Sequence, residues 1–177
     1  MEPPEVVCEF YAKIGACRHG KNCTKKHIDP QKSNTMVCVG LAKKRLEQLQ
    51  LLPQQNQTEA YNDIFADIYH EAVQISPVIN MLICENQSDH LAGNVYLQFP
   101  NPYDAEKAVN GLNAKWYDGR PVFARLTPMR RLTDAICVEH DENTCSRGGQ
   151  CNYIHNKRPS KDLEMALHLY RSSSHNH

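Results

Sequence analysis

Cysteine and histidine recur in this sequence at the spacing of a four-ligand metal site. The first set is separated by eight, five and three residues and comprises Cys8, Cys17, Cys23 and His27. The second set is separated by seven, five and three residues and comprises Cys137, Cys145, Cys151 and His155. Three thiolates and one imidazole complete the tetrahedral coordination of a structural Zn²⁺. The sequence therefore predicts two zinc modules, each of which binds one Zn²⁺.

Other interpretations of the cysteines and histidines fit less well. Disulfide-bonded or merely buried cysteines would not need the shared Cys–Cys–His spacing. His19 could replace His27 as a ligand, but the second set has no histidine at the matching position, which favours His27. Cys38 and Cys84 lie in apolar runs outside both sets and are interpreted as buried thiols. This usage suits a reducing compartment, the cytosol or the nucleus.

The first zinc module is rich in basic and aromatic residues. From Phe10 to His27 the chain has five basic residues and no acidic ones, although the formal net charge of the whole chain is zero. The basic residues are Lys13, Arg18, Lys21, Lys25 and Lys26. Single-stranded bases stack on flat rings while their phosphates pair with cations. We therefore expect single-stranded RNA here, with Phe10 or Tyr11 on a base; the alternative is that these rings only cover the zinc cluster.

The length of the chain allows one core of ordinary size and small satellites, since it has 177 residues. The zinc modules are too short for a core of their own, so the metal must supply their folding energy. No run approaches the roughly 18 apolar residues that a membrane span needs. The first residues contain neither a basic region nor an apolar block, so we expect no signal peptide.

The middle of the chain alternates between strand and helix patterns. Apolar runs predict strands at Thr35–Leu41, Val78–Cys84, Gly93–Phe99 and Pro121–Leu126. Three-and-four spacing predicts one helix from Thr58 and another from Asn101-Pro102. The order β-α-β-β-α-β predicts an α+β, ferredoxin-like RNA-recognition motif, an antiparallel four-stranded sheet with both helices on one face. Residues 43–57 are interpreted as a partly ordered insertion that breaks at Pro53.

The predicted sheet lacks the aromatic platform on which domains of this fold stack bases. The third strand should present outward aromatic residues, but Asn94 stands at the first such position and only Tyr96 remains outward. The first strand offers no aromatic residue either. We therefore expect the middle domain to serve another purpose than base stacking.

Trp116 is a candidate anchor for a protein partner. It is the only tryptophan and lies between Lys115 and Tyr117, in a predicted exposed loop. Aromatic residues concentrate binding energy at interfaces; the alternative is a ring folded back onto the core. An acidic stripe on the first long helix, Asp63, Asp67 and Glu71, could receive basic residues of the partner, or be an ordinary solvated face.

The second zinc module is less basic than the first and contributes Arg147 and Tyr153, followed by Lys157 and Arg158. Pro159-Ser160 opens a last helix with Leu163, Leu167 and Tyr170 on one side, which we expect to dock on the body. The predicted units are a disordered lead 1–7, zinc module 8–30, middle domain 34–128 with insertion 43–57, zinc module 137–156 and final helix 159–171.

Three stretches of the chain resemble a known family. They are Lys13–Gly20, Asp89–Tyr96 and Arg147–His155. Two zinc modules of the Cys-Cys-Cys-His type around a degenerate RNA-recognition motif are similar to the small subunit of the auxiliary-factor heterodimer that recognises the 3′ splice site in pre-mRNA splicing. The resemblance extends from Cys8 to about Tyr170.

This resemblance implies a nuclear, spliceosomal role without enzymatic activity. Both zinc modules would read the AG dinucleotide that ends the intron in single-stranded pre-mRNA. The residues implied to contact RNA are Phe10, Arg18, Thr24, Lys25, Arg147 and Tyr153, beside Tyr11, Lys13, Lys26 and Lys157 from the charge and aromatic pattern.

The resemblance also implies a protein partner. The middle domain would form a heterodimer by gripping a tryptophan of the large subunit between its helices, with Asp67 and Glu71 as the acidic residues. Trp116 would insert into the partner's proline-rich segment. Lys115 and Tyr117 stand where the family has Arg and Phe, and Arg and Lys are not interchangeable. Residues 43–57 match no part of the family pattern.

Three other functions remain as alternatives. A zinc enzyme would need an open coordination position, and four ligands at each site leave none. A zinc-finger protein of mRNA decay or 3′-end processing would share the modules but not the middle domain. In a pure adaptor the zinc modules would only stabilise the fold, which the acid-free basic patch argues against.

Overall fold

The computed structural model describes residues 4–174, with side chains in the last helix through Leu167. The helices are α1 Glu9–Ile14, α2 Lys43–Gln50, α3 Gln54–Ile75, α4 Pro102–Asn113, α5 Val138–Asp141 and α6 Lys161–Ser174. The strands are β1 Thr35–Cys38, β2 Asn80–Ile83, β3 Val95–Gln98, β4 Trp116–Tyr117, β5 Arg120–Pro121 and β6 Ala124–Leu126. The predicted lead before residue 4 and the side chain of Tyr170 lie outside the described part. No described helix has both the length and the apolar character needed to cross a membrane.

The main sheet confirms the predicted topology. Its strand order is β2-β3-β1-β6, and every neighbouring pair is antiparallel. The central pairs place Val37 opposite Tyr96 on β3 and opposite Arg125 on β6. This is the sheet of an RNA-recognition motif, and its two faces are buried by different parts of the chain.

Helices α3 and α4 cover the helix-side face of the sheet. Because helical positions three and four apart lie on one side, α3 buries a single stripe of Tyr61, Ile64, Phe65, Ile68, Tyr69 and Ala72. Asn101 caps α4 by accepting from the backbone N–H of Asp104 at 2.9 Å, and Pro102 occupies the first turn. Met36, Cys38 and Leu97 of the sheet join this helix-side core.

The zinc modules and the linker before the second module cover the opposite, zinc-side face. Ile14 from the first module, Leu132 from the linker and Ile154 from the second module pack on Val37 and Tyr96. Tyr96 points away from the helices, as its place in the strand predicted, but these groups cover it and it is 0% exposed, so it offers no open ring. The residues that bury it, Ile14, Leu132 and Ile154, are 36 or more positions away in the sequence, which strand alternation does not reveal.

The prediction of a partly ordered insertion at 43–57 was also wrong. This stretch forms α2 and the start of α3, which begins at Gln54, directly after Pro53, rather than at Thr58. Leu49 of α2 is buried in the helix-side core, and Leu46 packs against it. Pro53 separates two helices because proline fits the start of a helix but not its interior.

The predicted fourth strand is two elements. Only Ala124–Leu126 pairs with the main sheet, whereas Arg120–Pro121 pairs with Trp116–Tyr117 in a small hairpin. The turn between them is Asp118-Gly119, with φ of 49° and 78°. Two successive positive φ values are the signature of the type I′ turn that joins tightly paired strands. The hairpin therefore fixes Trp116 on a strand rather than in a loop.

The end of the described chain docks on the body, as predicted. Leu167 of α6 is buried in the helix-side core, and Leu163 packs against it. Before α6, the chain runs beside β2: Glu85 N–H donates to His155 O at 2.9 Å, and Lys157 N–H donates to Ile83 O at 3.0 Å. Residues 155–157 thus lie along the outer edge of the main sheet.

Candidate metal centres and nucleic-acid interface

Each predicted ligand set is gathered in space. In the first cluster, one ligand atom from each of Cys8, Cys17, Cys23 and His27 lies within 4.8 Å of the others. The same holds for Cys137, Cys145, Cys151 and His155. Cys8 and Cys137 stand at the N-termini of α1 and α5, and short 3-10 turns precede Cys23 and Cys151. His19 is exposed and lies outside the first cluster.

Each of the two ligand histidines has a ring nitrogen that is free to bind a metal ion. The Nε2 atoms of His27 and His155 are buried and have no hydrogen-bond partner. A buried polar nitrogen without a partner is costly, and an Nε2 lone pair directed at Zn²⁺ removes that cost. The donor set, three sulfurs and one nitrogen, also matches a closed structural zinc site. The clusters are two zinc sites.

A flat ring covers the ligand histidine in each module. Tyr11 stacks on His27 at 4.2 Å between ring centres, and His140 stacks on His155 at 3.9 Å. Both covering residues stand three positions after the first cysteine of their module. The Tyr11 hydroxyl donates to Asp29, and burial together with this hydrogen bond raises the pKa of Tyr11 to about 12. Tyr11 is 8% exposed, so its ring is engaged within the module.

Arg125 of β6 fastens the first zinc module to the sheet. Its Nη2 donates to Gly15 O at 2.6 Å, and its Nη1 donates to the Tyr11 hydroxyl at 3.1 Å. Gly15 has a φ of 71°, and an added Cβ would lie 3.0 Å from Cγ2 of Thr127. The module therefore approaches the sheet at a position that favours glycine.

Asn86 fastens the second zinc module to the loop after β2. Its Nδ2 donates to Tyr153 O at 2.9 Å and to Cys151 O at 3.2 Å, while its Oδ1 accepts from His155 N–H at 2.8 Å. Its side chain is buried. This single amide thus holds the backbone of two zinc ligands and of the tyrosine between them.

Arg147 contacts the second cluster rather than standing free. Its Nε lies 3.2 Å from Cys151 Sγ, and its Nη2 lies 3.7 Å from Cys137 Sγ and 2.6 Å from a Glu139 carboxylate oxygen. The two sulfur contacts are the leading causes that raise the pKa of Arg147 above its usual value. Three thiolates on one Zn²⁺ leave a net negative charge, which this guanidinium offsets.

The two zinc modules meet on one side of the molecule. Phe10 packs edge-on against Tyr153 with 6.4 Å between ring centres, and Lys13 Nζ lies 5.2 Å from the centre of the Tyr153 ring. Arg18 donates to Gln150 O at 2.9 Å and to Asn152 Oδ1 at 3.1 Å. Phe10 is 42% exposed. Residues from both modules therefore form one continuous surface with exposed aromatic and cationic groups.

The remaining residues of the predicted RNA set lie at different places. Thr24 and Lys25 are exposed on the first module. Lys26 is ion-paired with Glu5 at 2.5 Å. Lys157 lies over the Tyr61 ring at 5.1 Å and 3.4 Å from Glu85, beside the outer edge of the sheet. The sequence pattern missed Asn152, which no charge or aromatic count distinguishes.

The predicted partner residues surround one apolar pocket of about 270 Å³. Asp67, Ile68, Glu71 and Ala72 line it from α3, Leu112 from α4, Cys38 and Leu97 from the sheet, and Lys115, Trp116 and Tyr117 from the segment that begins the hairpin. Trp116 is 71% exposed at the rim. The pocket opens between the two helices and the hairpin, where an aromatic side chain could enter.

Both acidic residues of the pocket are already paired within the chain. Glu71 accepts from Lys115 Nζ at 2.7 Å. Asp67 accepts from Arg45 Nη1 at 2.8 Å, and the same Arg45 atom donates to the Tyr117 hydroxyl at 2.7 Å. Arg45 belongs to α2, which sequence reasoning had treated as an insertion, so its part in the pocket was missed.

Comparison with known proteins shows which family has this combination of zinc modules and middle domain. The family described as "Zinc finger C-x8-C-x5-C-x3-H type (and similar)" matches residues 3–29. The splicing factor U2AF 23 kDa subunit of Schizosaccharomyces pombe is 37% identical over 96% of this chain and 81% of its own length. The chain belongs to the U2AF small-subunit family. The U2AF 38 kDa subunit of Drosophila melanogaster is also 37% identical, over 96% of this chain and 68% of its own length.

Membership of the U2AF small-subunit family makes the chain a splicing factor with zinc fingers and an RNA-recognition motif, not an enzyme. The U2AF 26 kDa subunit of Bos taurus is 35% identical over 94% of this chain and 80% of its own length. Among solved structures, "Structure of RNA15 RRM" aligns with 55% of this chain and 92% of its own, at a TM-score of 0.36 and 14% identity.

Proposed function

We propose that this chain reads the AG dinucleotide at the 3′ end of introns with both zinc modules, and that its pocket holds a tryptophan of a U2AF large subunit. The proposal of AG reading is supported by the contact between the two zinc modules, which involves Phe10, Tyr153 and Arg18. A site built from both modules could contact two adjacent nucleotides, one from each module. Such work on pre-mRNA belongs in the nucleus.

The exposed groups at the module junction suit unpaired RNA. The exposed Phe10 ring and the half-buried Tyr153 ring are surfaces on which bases could stack, and Lys13 and Lys25 offer charges for phosphates. The Thr24 hydroxyl can donate to or accept from a base edge. Arg18 and Arg147 act in this proposal by holding the junction and the second zinc site. Tyr11 supports His27, and Lys26 and Lys157 lie at the margin.

The test of AG reading is a comparison of short RNA strands at one fixed salt concentration, because phosphate contacts make affinity depend on salt. The zinc-loaded chain, with a large-subunit segment bound, is titrated with a strand containing UAG and with strands changed at A or at G. Weaker binding of both changed strands, lost on chelation of zinc, is the expected result. Equal affinity for all strands would contradict AG reading and favour an adaptor that only holds its partner.

The pocket supports the second half of the proposal. Its apolar lining lies between α3, α4 and the hairpin, and Trp116 stands at its rim. Because Asp67 and Glu71 are paired with Arg45 and Lys115, we expect affinity here to come from burial of an aromatic ring more than from free charges. Basic residues of the partner would have to compete with these internal cations.

Partner binding is tested with a tryptophan-containing, proline-rich peptide from a U2AF large subunit. Trp116→Ala should weaken binding by roughly 10-fold or more, as expected for a buried aromatic anchor. Tyr103→Ala is the matched control, since Tyr103 is 73% exposed on α4. Equal affinity of the wild-type protein and Trp116→Ala would show that the tryptophan does not anchor the partner.

A further inference from the structure

Phe123 is an exposed aromatic residue that points to the zinc-side face of the sheet. Its neighbours Val122 and Ala124 both lie in the helix-side core. Successive side chains of an extended chain point to opposite faces, so Phe123 points the other way, as Arg125 does. Phe123 is 70% exposed, whereas Val37 on the same face is fully buried.

Val39 lies directly opposite Phe123. Its N–H donates to Phe123 O at 2.8 Å, which continues the β1–β6 register by one pair beyond Cys38 and Ala124. Side chains of directly opposed residues are neighbours on one face, and Val39 is 43% exposed. These two side chains form an open apolar patch at one end of the zinc-side face, here named the Phe123 patch.

The Phe123 patch borders the first zinc module. Arg125 is two residues further along the extended chain and on the same face, a distance of about 7 Å. Arg125 donates to Gly15 O and to the Tyr11 hydroxyl of that module. From Phe10 to His27 the module has five basic residues and no acidic ones. The charged groups that the structure places at this border are Arg125 and Asp29, which accepts a hydrogen bond from the Tyr11 hydroxyl.

We propose that the Phe123 patch is a stacking subsite for one base of single-stranded RNA next to the dinucleotide held by the zinc modules. The inference rests on the proposed function, since the modules must bring the strand there. A phenyl ring accepts any base, because every base has a face to stack on. Phe123, directly before β6, thus supplies the stacking group that Asn94, directly before β3, does not supply.

A protein occupant fits the Phe123 patch less well. The pocket proposed for the large subunit is lined by Cys38, Leu97 and Val122, which belong to the helix-side core. A segment entering that pocket approaches from the face opposite to Phe123. On the side of Phe123 the neighbouring cation is Arg125, and the zinc module to which it is bound has five basic residues between Phe10 and His27, which suits a polyanion.

The test measures affinity for a UAG core strand and for strands extended by a few uridines on the 5′ side or on the 3′ side. It uses the zinc-loaded full chain with the large-subunit peptide bound, at one salt concentration. Phe123→Ala should weaken binding of one extended strand by roughly 5- to 100-fold and leave the core strand unchanged. Phe123→Tyr keeps the ring and should keep the affinity. Tyr103→Ala removes an equally exposed aromatic side chain from α4 and should have no effect.

Several outcomes would overturn the subsite. An equal loss for core and extended strands would mean that Phe123 supports the zinc module instead. A loss of peptide affinity with unchanged RNA affinity would make the patch a protein contact. No loss at all, with discrimination of AG intact, would end this inference and leave the proposed function standing. If the wild-type chain binds strands with and without AG equally well, the proposed AG reading fails. A loss of affinity in Phe123→Ala that is confined to one extended strand would still support a stacking site at Phe123.

Discussion

At the scale of single residues, Asn86 joins the second zinc module to the sheet with one buried amide. Replacing it by alanine leaves two carbonyls and one N–H near the zinc ligands without partners. We expect Asn86→Ala to lower the free energy of unfolding by about 2 to 4 kcal/mol and to speed zinc release. Denaturant unfolding and release of zinc to a coloured chelator measure both effects. Asn110→Ala, at an exposed position of α4, should change neither quantity.

Arg147 has a role at the metal that its charge alone did not reveal. Its guanidinium contacts Cys151 and Cys137 sulfurs, and partners of metal ligands typically change metal affinity by about 10- to 100-fold. Arg147→Ala should therefore weaken zinc binding at the second site by about that factor, with the first site unchanged. Cobalt substitution followed by competition with zinc measures this. Arg158→Ala is the control, and an unchanged second site would contradict the assignment.

Single residues also show where sequence reasoning stops. Ligand identity followed from spacing alone, because a tetrahedral site needs its donors close together in each module. The covering role of Tyr11 could have been found by aligning the two modules, since His140 stands at the same position. Arg125 and Asn86 could not, because their partners, which are backbone atoms and the Tyr11 hydroxyl, are brought close only by the fold.

At the scale of elements, α2 shows how a short helix is integrated into the body. Leu49 is 5% exposed in the helix-side core, whereas Leu51, just after the helix, is 86% exposed. Leu49→Ala should cost about 2 to 5 kcal/mol of unfolding free energy, and Leu51→Ala should stay within about 0.5 kcal/mol. Equal effects in denaturant unfolding would mean that α2 is not packed in solution.

The elements differ in how well the sequence predicted them. The buried stripe of α3 and the cap of α4 are local signals, and both helices were found. The start of α3 and all of α2 were missed because the polar stretch around Pro53 was interpreted as an insertion, although Leu46 and Leu49 are spaced for one helical face and pack on the core. The hairpin was interpreted as a loop because each of its strands has only two residues.

At the scale of the whole molecule, the zinc sites stabilise one of the two cores. The first module's own cluster of buried residues comprises only Cys8, Tyr11 and Cys17, whereas Ile14 and Ile154 of the modules pack on the sheet. Chelation of zinc should therefore open the zinc-side face while α3 and α4 remain folded. Binding of a hydrophobic dye should increase, and most helical circular dichroism should persist.

A zinc-saturated chelator is the control for this experiment and should change neither signal. Loss of helical signal in step with zinc release would contradict the expectation and show that both cores unfold together. The joint burial of Tyr96 by both modules and the linker is a long-range property, so alternation along β3 gives the direction of this side chain but not its burial.

The second zinc module also determines which strand edges the molecule leaves open. β2 is an outer strand of the sheet. Residues 155–157, which begin with the last zinc ligand, form hydrogen bonds with the backbone at the end of this strand. An uncovered edge strand is a template on which further chains can add. Loss of zinc from this module would release that covering segment, so metal-depleted chains should assemble with one another along β2. Zinc supply would then govern solubility as well as shape.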